Sequence, residues 1–205
     1  MGRAATVSKP SPGHFGTYEA RRMDILRRVA LVFAEDGYHE TSVNSLSVRL
    51  GVSKPMLYYY AKNKDDLLYQ CGNVAREALL KAIADARAVE MPGIERVRRF
   101  FTHYAQIMCG DFGRCLAVID RKALSPRARK KDALARREVE AALQKMIREG
   151  QADGSIVKRD PVLTSRALFG AFNGIPHWYR PDGALDAKDI ADSYMDLFVS
   201  GMGRR

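Results

Sequence analysis

The chain has 205 residues, of which 46% are hydrophobic, and its 34 Lys and Arg outnumber its 24 Asp and Glu to give a net charge of +10. This composition excludes a disordered or fibrous protein and fits one domain with or without a small appendage. No apolar run approaches the roughly 20 residues of a membrane helix, and the first 16 residues lack the apolar stretch of a signal peptide. We therefore expect a cytoplasmic protein with no membrane partner.

The three cysteines, Cys71, Cys109 and Cys115, do not form a C-x-x-C pair. Their odd number and their spacing argue against a disulfide framework and against a zinc site. We interpret them as small core residues, and we expect no metal site and no cofactor.

Glycine and proline are sparse after residue 18 and alternating β-branched runs are nearly absent, which predicts an all-α protein. Gly37 closes a first amphipathic segment, and Ser42 and Ser53 are suitable N-caps for two short helices separated by Gly51. The expected helices, about nine in number, cover residues 18–36, 42–50, 53–60, 64–88, 94–109, 114–124, 125–154, 160–179 and 187–202.

The two short helices at 42–50 and 53–60 have the spacing of a helix-turn-helix unit. In such a unit the second helix lies in the major groove of DNA while the first crosses the backbone. Three consecutive tyrosines, Tyr58 to Tyr60, favour this interpretation, because one face of a helix cannot bury all three. The alternative is a plain helical corner with aromatic core residues.

Three motifs surround this unit: Gly37 to Val43 reads GYHETSV, Leu50 to Tyr60 reads LGVSKPMLYYY, and Lys62 to Leu68 reads KNKDDLL. Together they resemble the N-terminal domain of the tetracycline-repressor (TetR) family over about residues 18–68. The Pro, Gly and Ser content of residues 1–17 predicts a flexible tail. The resemblance implies a helix-turn-helix DNA-binding domain at 18–64 and a helical effector-binding and dimerisation domain at 65–205. Ala61 departs from the pattern, since many relatives carry a larger residue there.

The resemblance also implies a role for each of ten residues in binding double-stranded DNA. Lys64 begins the fourth helix, where backbone amides favour an anion, and Lys54 can donate to guanine acceptors. Phosphate contacts are implied for Thr41, Ser42, Tyr59, Tyr60 and Lys64, and base contacts for Asn44, Lys54, Pro55, Met56 and Tyr58.

A second resemblance concerns residues 169–183, which are similar to a helix ending in TetR-type regulators of fatty-acid and acyl-CoA metabolism. It implies a small apolar or acyl-CoA-type effector. Large apolar side chains in this half suit a deformable cavity between helices, although each of them also suits an ordinary core. The expected ligand-binding residues are Phe101, Tyr104, Met108, Arg121, Lys122, Phe169, Phe172, Asn173, Trp178 and Arg180.

Residues 113–148 are strongly basic, with 11 Lys and Arg against four Asp and Glu. One interpretation is a solvated helix face. The other is a clamp in which Arg121 and Lys122 bind the phosphates of a CoA-type ligand. Apolar faces on the last two helices, which include Leu163, Leu197 and Phe198, predict a homodimer interface.

The expected function is a ligand-responsive transcriptional regulator, usually a repressor, that binds a palindromic operator as a homodimer and is released by its effector. A ligand-blind architectural DNA-binding protein is one alternative. A small helical enzyme is another, but G-x-S-x-G, H-E-x-x-H, P-loop and G-x-G-x-x-G motifs are all missing from the sequence, and its four histidines are scattered.

Overall fold

The computed structural model describes residues 18–118 and 124–201, and all regular structure in these two ranges is helical. None of the helices in these ranges is long and apolar enough to cross a membrane. The helices are α1 (Tyr18–Asp36), α2 (Val43–Leu50), α3 (Lys54–Tyr60), α4 (Lys64–Arg87), α5 (Gly93–Cys109), α6 (Asp111–Val118), α7 (Pro126–Ala152), α8 (Pro161–Asn173), α9 (Ile175–Trp178) and α10 (Ala187–Ser200).

The predicted all-α architecture is confirmed, but α6 begins at Asp111 instead of at residue 114, and a second difference occurs at Gly174. The helix predicted over 160–179 divides there into α8 and the single turn α9, because Pro176 has no backbone N–H with which to continue the α8 ladder. The described part of the chain therefore holds ten helices instead of nine. The predicted tail at 1–17 and the predicted phosphate ligands Arg121 and Lys122 lie outside the described residues.

Short-range hydrogen bonds define the boundaries of α2 and α3. The Ser42 hydroxyl accepts from the Ser45 amide at 3.0 Å, and Ser45 Oγ accepts from the Ser42 amide at 2.8 Å, which is a reciprocal capping box. Gly51 ends α2 at φ +64°, a left-handed conformation that favours glycine. Ser53 then caps α3 by accepting from the Met56 amide. The helix-turn-helix geometry is therefore encoded locally.

Two clusters of buried apolar side chains form the interior. The N-terminal core packs α1, α2 and α3 against the first turns of α4, and it also includes Cys115 of α6 and Ala128 of α7. The C-terminal core packs α4, α5, α7, α8 and α10, with Phe100 and Leu143 fully buried at its centre. Helices α4 and α7 contribute to both cores, so the two halves share their longest helices.

The N-terminal core extends beyond the predicted domain boundary at residue 64. Leu67, Leu68 and Cys71 of α4 are buried in it, together with Leu124 just before α7. The boundary predicted from the motifs therefore marks the start of α4 and does not mark the edge of the packed unit.

Helices α5 and α7 approach closely where Gly93 meets Gly150. A Cβ atom on Gly93 would lie 2.2 Å from the Gly150 Cα, so a side chain there would force the helices apart. The Asp153 carboxylate accepts hydrogen bonds from Ser155 and from the Gly93 amide, and these bonds hold the pKa of Asp153 below its usual range. This contact fixes the beginning of α5 against the end of α7.

Candidate nucleic-acid interface and ligand cavity

Helix α3 has one buried side and one exposed side. Leu57 and Tyr60 are buried against the N-terminal core, whereas Lys54 and Pro55 are exposed. On the same exposed side Met56, Tyr58 and Tyr59 are 42%, 53% and 67% exposed. A cluster of large, partly apolar side chains left in water is typical of a binding surface.

Three tyrosine rings join the end of α3 to the beginning of α1. The ring centroid of Tyr18 lies 5.7 Å from that of Tyr59 and 5.4 Å from that of Tyr60. The Tyr60 carbonyl accepts from Gln70 Nε2 at 2.9 Å, which ties the end of α3 to α4. Tyr60 was expected as an exposed phosphate contact, but its burial makes it an anchor of α3. Tyr59 remains exposed beside it.

The start of α2 exposes Ser42 and Asn44 but buries Thr41. The Thr41 hydroxyl donates to the Gly37 carbonyl at 2.7 Å, inside the turn that joins α1 to α2. Thr41 therefore stabilises the turn, contrary to the expectation that its side chain is free for a phosphate. The Ser42 hydroxyl, although it caps α2, remains at the surface.

Lys64 ties the beginning of α4 to the same turn. Its Nζ donates to the carbonyls of Tyr38 at 3.0 Å and Thr41 at 2.8 Å, and lies 4.0 Å from the centroid of the Tyr38 ring. The Tyr38 hydroxyl donates to Asp65, and burial together with this carboxylate raises the Tyr38 pKa. Any phosphate contact by Lys64 must therefore use its third N–H, while the other two position the backbone around Ser42.

A cavity of about 590 Å³ lies among α4, α5, α6, α7 and α8. This volume is within the range of small-molecule sites. Its apolar lining comes from Leu79, Met108, Leu116, Val139 and Phe169.

Four of the predicted ligand-binding residues line this cavity: Tyr104, Met108, Phe169 and Asn173. Four others are not part of its described wall. Phe101 and Phe172 are fully buried in the C-terminal core with their ring centroids 4.4 Å apart. Trp178 is exposed beside Tyr194, with 6.5 Å between their ring centroids, and Arg180 is exposed beyond α9. The positions of Trp178 and Arg180 follow from the division of the predicted helix at Gly174, which redirects the residues after it, whereas Phe101 and Phe172 face the core from α5 and α8.

The cavity also has a charged wall, of which only Arg136 was indicated by the sequence, as part of the basic segment 113–148. Arg76 of α4 and Asp132 of α7 pair at 3.0 Å, and Arg136 Nε meets the second carboxylate oxygen of Asp132 at 3.1 Å. Glu140 and Arg166 are the other carboxylate and guanidinium side chains of the lining within residues 18–118 and 124–201. Three arginines against two carboxylates give this described part of the lining a net positive charge.

A signal for the buried pair was present in the helical spacing. Arg76 lies three residues before Leu79 and eight after Leu68, on the buried face of α4. Asp132 has a similar position on α7, four residues after Ala128 and seven before Val139. A charged residue on an apolar stripe of a helix indicates a buried partner.

Two family models match the chain. The model for bacterial regulatory proteins of the tetR family matches residues 25–71, and the model for the tetracyclin repressor-like C-terminal domain matches residues 90–202. The second match alone covers more than half of the chain.

Two proteins are similar to this chain over most of its length. The fatty acid metabolism regulator protein of Bacillus subtilis (strain 168) is 23% identical over 189 residues, covering 88% of this chain and 94% of the relative. The crystal structure of PfmR, a TetR family transcriptional regulator from Thermus thermophilus, has a TM-score of 0.81 and 32% identity, covering 88% of this chain and 99% of that one.

A third similarity concerns the fold alone. AibR in complex with isovaleryl coenzyme A and operator DNA has a TM-score of 0.75 and 20% identity, covering 86% of this chain and 97% of that one. The exposed α3, the helical domain behind it and the two matching family models together lead to one conclusion. The chain belongs to the TetR family of ligand-responsive transcription regulators, which bind operator DNA, and it is not an enzyme.

Proposed function

We propose that the protein is a repressor that binds a palindromic operator as a homodimer and is released by an acyl-CoA-type effector. The observation that carries the proposal is a cavity that combines an apolar wall with surplus cationic charge, in the same chain as an exposed recognition helix. A ligand-blind architectural protein would need the helix but not the cavity. The cytoplasm remains the expected compartment.

The exposed residues of α2 and α3 and the capping residue Ser42 form two groups of proposed DNA contacts. Asn44, Lys54, Pro55, Met56 and Tyr58 are exposed along α2 and α3 and are proposed to meet base edges in the major groove. Ser42 and Tyr59 are exposed beside them and are proposed to contact phosphates. The hydrogen bonds from Lys64 to the α1–α2 turn support two roles for that lysine. Two of its N–H groups hold the backbone that positions Ser42, and the third is proposed to contact a phosphate.

Homodimerisation is proposed through α8 and α10. One seven-residue recognition helix reads few base pairs, and a two-fold dimer doubles that number across a palindrome. Support comes from large apolar side chains that both helices leave exposed, an unusual feature unless a partner covers them. They are Val162 and Leu163 on α8 and Leu197, Phe198 and Val199 on α10. Ile190, in contrast, is buried in the C-terminal core.

The cations that suit the effector's phosphates are Arg136 and Arg166. Arg136 is 53% exposed, and only its Nε is bonded among the described residues, so its terminal nitrogens can reach an anion. Arg166 of α8 lines the same cavity and makes no ion pair with the residues described. Two arginines on facing helices suit a bidentate grip on phosphate oxygens. Arg121 and Lys122 remain predicted contributors.

The relatives support an acyl-CoA-type effector. The name of the Bacillus subtilis relative refers to fatty acid metabolism, and AibR was crystallised with isovaleryl coenzyme A. In the proposed complex, the acyl chain lies against Met108 and Phe169 and the CoA phosphates lie toward Arg136 and Arg166. Release follows only if the ligand binds better to a conformation that no longer fits DNA.

The test begins with selection of operator DNA from a random pool by the full-length protein. The complex is then titrated with butyryl-, octanoyl- and palmitoyl-CoA and with the matching free acids, and release is followed by fluorescence anisotropy. We expect a thioester to release DNA at a concentration at least tenfold below that of its acid, since charged contacts contribute roughly 1.5–3 kcal/mol each.

The variant R136Q/R166Q should reduce this preference for the thioester over the acid. R148Q is the matched control, because Arg148 is exposed on α7 but does not line the described cavity. Equal potency of acids and thioesters would refute the phosphate contacts. Failure of every ligand to release DNA would refute the proposed effector class.

A further inference from the structure

In the described part of the chain, a buried ion pair lies where the two cores meet. Along α4 the buried residues change from the N-terminal core, which ends at Cys71, to the C-terminal core, which begins at Leu79, and Arg76 lies between them. Along α7 the same change occurs between Ala128 and Val139, and Asp132 lies between them. The Arg76–Asp132 pair therefore connects the two shared helices at the junction of the cores.

The pair is deeply buried and closely held. Each side chain is 6% exposed, and Arg76 also donates to the Tyr69 carbonyl at 3.2 Å. The Arg76 guanidinium lies 5.2 Å from the centroid of the Tyr69 ring, one of its neighbours on α4. Buried ion pairs seldom stabilise a fold more than apolar residues of similar size, and their best-attested role is to select one arrangement over another.

The same pair lines the cavity. Two of the partners of the Asp132 carboxylate are Arg76, which is buried, and Arg136, which is 53% exposed. An anion that enters the cavity can attract Arg136 away from Asp132 but cannot easily displace Arg76. Binding of the ligand thus changes the balance of charge around a carboxylate that sits between α4 and α7.

The beginning of α4 carries such a change to the DNA-binding surface. Lys64 bonds the carbonyls of Tyr38 and Thr41, and Asp65 accepts from the Tyr38 hydroxyl. The 12 residues from Lys64 to Arg76 span about 18 Å of continuous helix. A shift of α4 at Arg76 therefore moves the turn that positions Ser42 and α2.

We propose that Arg76 and Asp132 are the positioning pair through which occupancy of the cavity alters the orientation of α4 and hence operator affinity. This inference rests on the proposed function, because it assumes an anionic effector in the cavity. The ligand recruits Arg136, Asp132 responds by moving relative to Arg76, and α4 shifts against α7. Without the pair, the cavity and the recognition helix are uncoupled.

The decisive measurement is the coupling ratio, which is the operator Kd with saturating octanoyl-CoA divided by the operator Kd without it. The variant R76M/D132L replaces both charges with apolar residues, so it leaves neither charge unpaired in the core. We expect its coupling ratio to fall about tenfold, within the usual range of allosteric coupling, while direct calorimetry still detects binding of octanoyl-CoA. An unchanged ratio would overturn the inference.

The matched control is R96M/E149Q, which removes an ion pair of 2.8 Å between α5 and α7 away from the cavity. It should leave the coupling ratio unchanged, and an equal loss in this variant would show that the effect is not specific to Arg76 and Asp132. D132N is the milder variant if the double substitution does not fold, and it should lower the ratio in the same direction.

A second measurement separates this inference from the effector proposal. Coupling is reciprocal, so operator DNA alone should change hydrogen exchange at the backbone amides of residues 132–140 in the unmodified protein. If no thioester releases DNA, the proposed effector class is wrong. The role of the Arg76–Asp132 pair is then tested by hydrogen exchange with operator DNA alone. Exchange in 132–140 that is the same with and without operator would overturn it.

Discussion

The Tyr104 hydroxyl of α5 donates a hydrogen bond of 2.6 Å to Oδ1 of Asn173, the last residue of α8. This bond joins two walls of the cavity at the point where α8 ends. Burial raises the pKa of Tyr104, so its hydroxyl stays protonated and remains a donor over the physiological range. The bond leaves the Asn173 amide nitrogen available as a donor to a ligand.

Removal of this hydroxyl tests how firmly the two walls are joined. Tyr104→Phe should lower the free energy of unfolding by about 1 kcal/mol, the usual contribution of one such bond. Urea unfolding followed by circular dichroism measures the change. Tyr58→Phe is the control, because Tyr58 is exposed and its substitution should leave the urea midpoint unchanged. Equal midpoints for the unmodified protein and both variants would show that the bond does not stabilise the fold.

Substitutions of three lysines near the DNA-binding surface should have different effects on operator affinity. Lys54→Ala should weaken binding to the selected operator by about 1–3 kcal/mol and relax base preference at particular positions. Lys64→Ala should weaken binding to all sequences, lower the magnitude of the salt slope by about 1, and also lower the Tm, because it releases the α1–α2 turn. Lys62→Ala, at an exposed neighbouring position, is the control. Identical, sequence-independent effects of Lys54 and Lys64 would contradict the division into base and phosphate contacts.

The proposed dimer interface can be tested at Phe198. A carboxylate buried without a partner is costly, so Phe198→Asp should convert the dimer to a monomer in sedimentation velocity and abolish high-affinity operator binding. Val157→Asp introduces the same charge at an exposed apolar residue outside α8 and α10 and should remain dimeric. A Phe198→Asp protein that stays dimeric would exclude this face as the interface.

Two aromatic residues predicted to hold the ligand are separated by the structure. Phe169 lines the cavity, whereas Trp178 lies outside its described wall. Phe169→Ala should weaken binding of palmitoyl-CoA about tenfold or more, since burial of a phenylalanine side chain is worth about 1.5–3 kcal/mol. Trp178→Ala should have little effect. Calorimetric titration gives both affinities. A larger loss of affinity in Trp178→Ala than in Phe169→Ala would show that Trp178 contacts the ligand.

Cys109 offers a test that depends on pH. Burial and the nearby Asp186 raise the pKa of Cys109 to about 11, which favours the neutral thiol. Because only the thiolate reacts, alkylation by iodoacetamide in the native protein should be slow at pH 8 and accelerate about tenfold for each pH unit until the pKa is reached. Mass spectrometry after timed quenching follows the reaction, with Cys109→Ser as the control. A rate that levels off by pH 9 would contradict the raised pKa.

The helix-turn-helix could be predicted because its signals are local. Ser42, Gly51 and Ser53 define helix ends through bonds to residues three or four positions away, and these bonds form as expected. The burial of Thr41 and Tyr60 could not be predicted in this way. It depends on how α3 and the α1–α2 turn pack against α4, which is a property of the assembled fold.

The sequence predicts the apolar wall of the cavity but not its charged wall. Tyr104 and Met108 lie on the apolar face of α5, where helical spacing identifies them. Arg76 and Asp132 are 56 residues apart, and although each lies on the apolar stripe of its helix, that position does not identify its partner. Pairing across two helices depends on the crossing of α4 and α7, and the sequence pattern does not specify that crossing.

The continuation of the N-terminal core into α4, α6 and α7 has a consequence for how such regulators diverge. A chimaera that joins residues 1–63 of one relative to the remainder of another would place foreign side chains against Cys115, Leu124 and Ala128. Most such exchanges would therefore leave a mismatched interior. The exposed side of α3 carries no such constraint, so new operator preferences are more readily acquired by substitutions at Lys54, Met56 and Tyr58 than by recombination of whole domains.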